Sequence, residues 1–236
     1  MNQVSEIAIK DIHPKWKSLL GTPAKSGKLL IDILDETIES ILKLKVKLCP
    51  DHPSKILRCL HLDPDKIKVV IINSEPYPTP GISTGLAFAC EDKFQPSLNI
   101  LIRELGIELG DESIPETFDG TLLKWEEQGV LLLNSSLSCE PFKAGSHVKL
   151  WEEFMAGLLT ILNDFKVTRE AMTSIVFVFV GKQAQMFQME INEGFHYKIM
   201  RYHPVTESHG SNKFTGFYNE VNKCLIESNQ QEINWI

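Results

Sequence analysis

The chain has 236 residues, 43% of them apolar and 23% charged, which suits an ordinary globular domain with a sizeable core. It has no run of 18 apolar residues and no apolar leader after Met1, which argues against a membrane span or a secretory signal, and its cysteine usage fits a reducing, intracellular location. Five cysteines without Cys-x-x-Cys spacing argue against a disulfide framework and a zinc site, and a net charge of −7 argues against nucleic-acid binding by bulk charge, though not by a local anion cleft.

Residues 1–14 are mixed in character and are expected to be loosely held. Apolar positions from Leu29 and Leu30 through Ile33, Leu34, Ile38, Ile41, Leu42 and Leu44 fall at helical spacing. They predict one long helix over 26–48, ended by Cys49-Pro50 and Pro53. A second helix is expected over 54–62. The first of four apolar runs follows, Lys68-Val69-Val70-Ile71-Ile72, ending in Asn73-Ser74-Glu75. Pro76, Pro78, Pro80 and Gly81 keep the next loop out of helix. Pro96-Ser97 opens a helix to about residue 109, with proline early in its first turn. A short amphipathic helix over 121–128 precedes the second run, Gly129 to Leu133, which ends in Asn134. A helix over 149–165 leads to the third, Ile175 to Val180, which ends in Gly181-Lys182-Gln183 and a further helix. The fourth, Tyr197 to Met200, ends near His203-Pro204, and a helix over 216–228 closes the chain.

Runs of five or six β-branched and large apolar residues read as strands buried on both faces, the mark of a parallel sheet. The expected architecture is a single domain over 1–236: a three-layer α/β/α sandwich around a central four-stranded parallel sheet. In such sheets ligands bind beyond the carboxyl ends of the strands. One crevice is therefore offered a carboxylate (Glu75), an amide (Asn134), a cation (Lys182) and an imidazole (His203).

The order and wording of these segments resemble the uracil-DNA glycosylases. The pieces are Val69-Val70-Ile71 with Glu75-Pro76-Tyr77, Pro80-Gly81, Gly85-Leu86-Ala87-Phe88, Pro96-Ser97-Leu98, Trp125 with Gln128 through Asn134, Ser146-His147 with Trp151, Gly181 with Ala184-Gln185, and His203-Pro204. The resemblance runs from Trp16 to Trp235. It implies an enzyme that pulls a base out of DNA and hydrolyses its bond to the sugar, with no metal or cofactor, acting as a monomer. The chain departs from the family at two places. The water-activating loop, usually Gly-Gln-Asp-Pro-Tyr-His, is here Asn73-Ser74-Glu75-Pro76-Tyr77-Pro78. The late loop, usually His-Pro-Ser-Pro-Leu-Ser, is here His203-Pro204-Val205-Thr206-Glu207-Ser208. Proline after the tyrosine is similar to the poxvirus members, which also serve as replication processivity subunits. A DNA- or replication-protein-binding module is thus the alternative to an enzyme.

The resemblance also implies roles. Glu75 aligns water and steadies the cationic sugar, with one methylene more than the family's aspartate; the bland alternative is a solvated loop glutamate. His203 hydrogen-bonds the departing base, or else simply ends a strand. Asn134 reads a pyrimidine edge with its donor and acceptor, or else bonds local backbone. Phe88 stacks on the base, or else is core. Tyr77 bars a 5-methyl group, Ser74 alters the pocket floor, and His147 matches a histidine near the reacting water. Pro96, Ser97, Gly181, Lys182, Gln183 and Ser208 match the places that hold phosphates, although Ser97 and Lys182 also suit helix starts. Glu207 stands where the family has an apolar wedge. A carboxylate in a base stack is unfavourable, so single-stranded or base-modified DNA is the favoured substrate.

Overall fold

The four apolar runs form the four strands expected of them: β1 (Val69–Asn73), β2 (Val130–Asn134), β3 (Val176–Val180) and β4 (Tyr197–Arg201). They lie in the order β2-β1-β3-β4, all parallel. The computed structural model describes residues 1–91, 95–111, 113–167, 173–192, 194–207 and 214–236. Every position of β1, β2 and β3 is buried, while β4, at the sheet edge, buries only Ile199. With no polar face to turn to water, β1, β2 and β3 need helices on both sides.

The helices are α1 (Gln3–Lys10), α2 (Pro14–Leu20), α3 (Leu30–Lys43), α4 (Pro96–Leu109), α5 (Ile114–Thr117), α6 (Leu123–Glu127), α7 (Val148–Val167), α8 (Gly181–Gln185) and α9 (Phe217–Glu227). Packing pairs α3 with α7 and α4 with α9, while α9 lies against β3 and α8 against β1. The result is the three-layer α/β/α sandwich. β1 sits between β2 and β3, so the chain leaves it in opposite directions and opens a crevice at the carboxyl ends of β1 and β3. Among the described residues no helix is long and apolar enough to cross a membrane.

Three segments differ from the sequence expectation. Residues near the start are not loose: Asn2 caps α1 by accepting the Ser5 N–H (2.9 Å), and Asp35 accepts from both the Asn2 N–H (2.7 Å) and the Ser5 hydroxyl (2.7 Å). The long helix over 26–48 is shorter, because a turn through Gly27 returns the Ala24 N–H to Lys28 (2.8 Å) and Lys45 takes a left-handed backbone (φ 54°) after α3. Leu29, Leu42 and Leu44 are exposed and add nothing to its buried stripe. In place of a helix over 54–62 there are two 3₁₀ turns, Pro53–Lys55 and Arg58–His61. The Arg58 guanidinium is held there by a two-pronged pair with Glu126 (2.6 and 2.7 Å).

Candidate active site

Parallel strands deliver four chain segments to one edge of the sheet. A cleft of about 640 Å³ opens there, lined by Ser74 and Glu75 after β1, by Gly181, Lys182, Gln183 and Gln185 of α8, and by Tyr202 and His203 after β4. Glu75, Lys182 and His203 thus meet, as the sequence implied, while Asn134, expected in the same crevice, is buried at the end of β2 and is not among the residues lining this cleft. Tyr202 and Gln185 were missed. Tyr202 is an exposed aromatic beside His203-Pro204, a signal present in the sequence but overshadowed by its neighbour.

The segment after β1 is fastened to the segment after β2. Ser135 donates its N–H to the Asn73 carbonyl (2.8 Å), and the Ser135 hydroxyl and Ser136 N–H both donate to the Ser74 carbonyl (2.7 and 3.0 Å). The loop after Cys139 completes the clamp: Phe142 donates its N–H to the Pro78 carbonyl (2.8 Å), and the Gly145 N–H donates to Oε2 of Glu75. The Glu75 carboxylate is therefore aimed by main chain rather than by another side chain. Burial holds its carboxyl above the ordinary glutamate range, with the Gly145 N–H pulling the other way.

His203 is half-buried, and burial pushes its imidazole below the usual range, so the ring is neutral near pH 7. Its ring lies 6.5 Å from that of Phe88 at an angle of 38°. Gly181 sits beneath it in left-handed backbone (φ 84°); a Cβ there would fall 3.2 Å from the His203 Cβ and 3.3 Å from the Ser74 Oγ. Only glycine fits that approach comfortably.

Phe88 is buried with φ 65°, and the Tyr77 hydroxyl donates to its carbonyl (2.8 Å). Ala87 donates its N–H to Leu132 of β2 (3.2 Å), which carries the Phe88 segment along the edge of the sheet. Asn134 is 1% exposed and bonded to Asn73, a partner that sequence reasoning did not foresee.

His147 is fully buried, with Nδ1 3.0 Å from the Ser138 hydroxyl, which also accepts the Trp151 N–H (2.9 Å). Burial, opposed by Glu140, lowers the His147 pKa. The other ring nitrogen, Nε2, is buried without a hydrogen-bond partner among the described residues. Of the positions matched to phosphate contacts, Pro96 is exposed and Ser97 buried in the first turn of α4, while Lys182 is exposed in the cleft. Glu207 lies in the 3₁₀ turn Pro204–Glu207, against which α4 packs; Ser208 lies outside the described residues.

No protein-family model matches the chain. Full-length relatives do. A uracil-DNA glycosylase of Acinetobacter baumannii is 35% identical across 99% of this chain and 96% of its own length. One from Chromobacterium violaceum is 32% identical across 97% and 93%. The chain belongs to the uracil-DNA glycosylase family. It is accordingly a DNA glycosylase, a hydrolase of the bond between base and sugar. The family's fold is seen again in solved structures: mimivirus uracil-DNA glycosylase superposes with a TM-score of 0.80 at 22% identity, covering 99% of this chain and 89% of that one. The Nitratifractor salsuginis UNG does so at 0.61 and 16% identity, over 98% and 96%. Against the family's water-activating loop, this chain carries glutamate for aspartate at Glu75, which lines the cleft, and an amide for glycine at Asn73, buried at the end of β1.

Proposed function

We propose that this cleft excises uracil from DNA, with Glu75 and His203 as its catalytic pair. The observation that carries the reading is that these two residues, from opposite sides of the switch point, line one cleft, with the Glu75 carboxylate aimed by the Gly145 N–H and the His203 ring 6.5 Å from that of Phe88. Cleavage builds positive charge on the sugar and negative charge on the leaving base. Glu75, anchored by Gly145, steadies the first and aligns the attacking water. The neutral His203 donates an N–H to the second. Asn134 reads the pyrimidine edge, Phe88 gives the base a face to stack on, and Tyr77 closes the space a 5-methyl group would need. His147, bonded to Ser138, braces the loop that aims Glu75. Backbone and side chains at Pro96, Ser97, Gly181, Lys182 and Gln183 hold phosphates on either side.

Single-stranded DNA is the favoured substrate in this reading. Glu207 stands where an apolar wedge would fill the gap left by a flipped base, and a carboxylate is poorly suited to a base stack. A single strand leaves no such gap. Phe142 supports the same view: it is 76% exposed, in left-handed backbone (φ 62°), on the loop that grips Glu75 and Pro78. An exposed ring there offers a stacking face to a base beside the target.

The test is release of free uracil from a uracil-containing oligonucleotide, single- and double-stranded, by wild type, Glu75→Gln and His203→Ala. Release by wild type, faster on the single strand and strongly reduced in both variants, is expected. Binding of DNA without any release would reject the enzyme and mark a binding module of the replication-partner kind.

A further inference from the structure

Asn73 ends β1 and Asn134 ends β2, paired in register across the two strands. The side-chain nitrogen Nδ2 of Asn73 lies 3.1 Å from the main-chain carbonyl of Glu75 and 3.1 Å from the side-chain Oδ1 of Asn134. A main-chain carbonyl only accepts, so the group of Asn73 that faces Glu75 must be its NH₂. That same nitrogen meets Asn134, so the facing atom of Asn134 must be its oxygen. A fixed backbone acceptor therefore sets the polarity of both amides in turn. Flipping either one breaks a bond.

The pair is sealed from bulk water, with Asn73 4% and Asn134 1% exposed. The Asn73 Oδ1 is buried without a partner among the described residues. The side chain is thus held by its two N–H donors, an arrangement that neither aspartate nor leucine reproduces. Donation into the Asn134 carbonyl also polarises that amide and strengthens its own NH₂ as a donor.

We infer that Asn73 is a specificity-determining residue: by holding the Asn134 carbonyl inward, it presents the Asn134 NH₂ to position 4 of the bound pyrimidine and admits keto bases while rejecting amino bases. This rests on the reading of Asn134 as the residue that meets the base. Uracil carries an acceptor at O4 and a donor at N3; the Asn134 NH₂ serves the first, and the second lone pair of Oδ1 serves the other. Cytosine reverses both, with a donor at N4 and an acceptor at N3. In a buried site such a mismatch leaves polar groups unpaired and discriminates strongly. The family's glycine at this position has no side chain to do this, so the device belongs to the Asn73 found here.

Asn73→Asp is the informative variant. A carboxylate of the same shape repels the Glu75 carbonyl and the Asn134 oxygen and attracts the Asn134 NH₂. The Asn134 amide should turn over and present its carbonyl to the base. Release of uracil and of cytosine from otherwise identical single strands gives the ratio of the two kcat/KM values, with circular dichroism to verify folding. Wild type is expected to favour uracil by on the order of 10⁴-fold. Asn73→Ala, which frees the amide, should narrow that ratio by on the order of tenfold or more. Asn73→Asp should narrow it further and release cytosine measurably. A merely structural role would slow both substrates together and leave the ratio unchanged, and an unchanged ratio in Asn73→Ala overturns the inference even if Asn73→Asp fails to fold. Wild type that releases no uracil rejects the excision reading, and this inference with it; wild type that releases uracil beside variants of unaltered ratio rejects this inference alone.

Discussion

The Tyr77 hydroxyl donates to the main-chain carbonyl of Phe88 at 2.8 Å, tying the residue proposed to bar a 5-methyl group to the residue proposed to stack on the base. One side chain therefore has two separable functions. Its ring occupies space, and its hydroxyl fixes a neighbour whose backbone is left-handed (φ 65°). Tyr77→Phe keeps the ring and removes the hydrogen bond, so stability should fall by about 1 kcal/mol and uracil release by a few-fold, with thymine still refused. Tyr77→Ala removes both, and thymine release should become measurable. Thymine release by Tyr77→Phe at the level of Tyr77→Ala would show that the bond, not the ring, excludes the methyl group.

Glu75 carries a cost in the folded protein that activity requires. Burial raises its pKa, with the Gly145 N–H opposing, so the folded state holds the proton more tightly than the unfolded chain does. The stabilising contribution of the neutral form is full below the unfolded value of about 4.3 and is lost as pH rises through the higher folded value. Catalysis needs the ionised form, so the acid limb of kcat/KM should lie above the ordinary glutamate range. Glu75→Gln should lower activity on the order of 10²- to 10³-fold and raise Tm at neutral pH. The gain in Tm should shrink towards zero in acid. A Tm difference that stays constant with pH would contradict the burial of this carboxylate.

Much of this was legible in the sequence because the strands are short, β1, β2 and β3 are almost wholly apolar, and each run is followed by a polar residue. Once β1, β2, β3 and β4 are known to be parallel, Glu75, Asn134, Lys182 and His203 must gather at one edge. What was not legible depends on register and main chain. The contact between Asn73 and Asn134 needs the alignment of two strands that lie far apart in the chain. The Gly145 N–H on Glu75 is a backbone donor with no side-chain signature. The helix over 26–48 was overextended because Leu42 and Leu44 continue an apolar rhythm that the backbone abandons at Lys45. The first turn of the chain was undervalued because its order comes from Asp35, in a different helix.

Gly181 offers a test of how closely His203 must be placed. A methyl group at residue 181 would sit 3.2 Å from the His203 Cβ and 3.3 Å from the Ser74 Oγ, in a backbone that costs an ordinary residue about 1–2 kcal/mol. Displacement of a catalytic group by about 1 Å can cost on the order of 100-fold. Gly181→Ala should therefore reduce kcat at least about tenfold, approaching the loss in His203→Ala. Gly110→Ala is the control: Gly110 also has positive φ (67°), but it ends α4 with open space around it. It should lose stability and keep its kcat. Equal losses of activity in the two variants would mean that strain, not the position of His203, is responsible.

Phe142 distinguishes a single-strand enzyme from a duplex one. A ring exposed to 76% in a left-handed backbone gains nothing from packing, and such strain persists where surrounding bonds enforce it, here the Phe142 N–H on the Pro78 carbonyl. If a base beside the target stacks on it, Phe142→Ala should remove on the order of 1–3 kcal/mol of binding, read as a KM increase of about tenfold or more on single strands with kcat little changed. Phe142→Tyr, which keeps a stacking face, should restore the KM. The KM for a duplex should respond less, because its neighbouring bases are already stacked on one another. The same KM increase for both forms of DNA would instead make Phe142 a general contact and remove the argument that this loop selects the single strand.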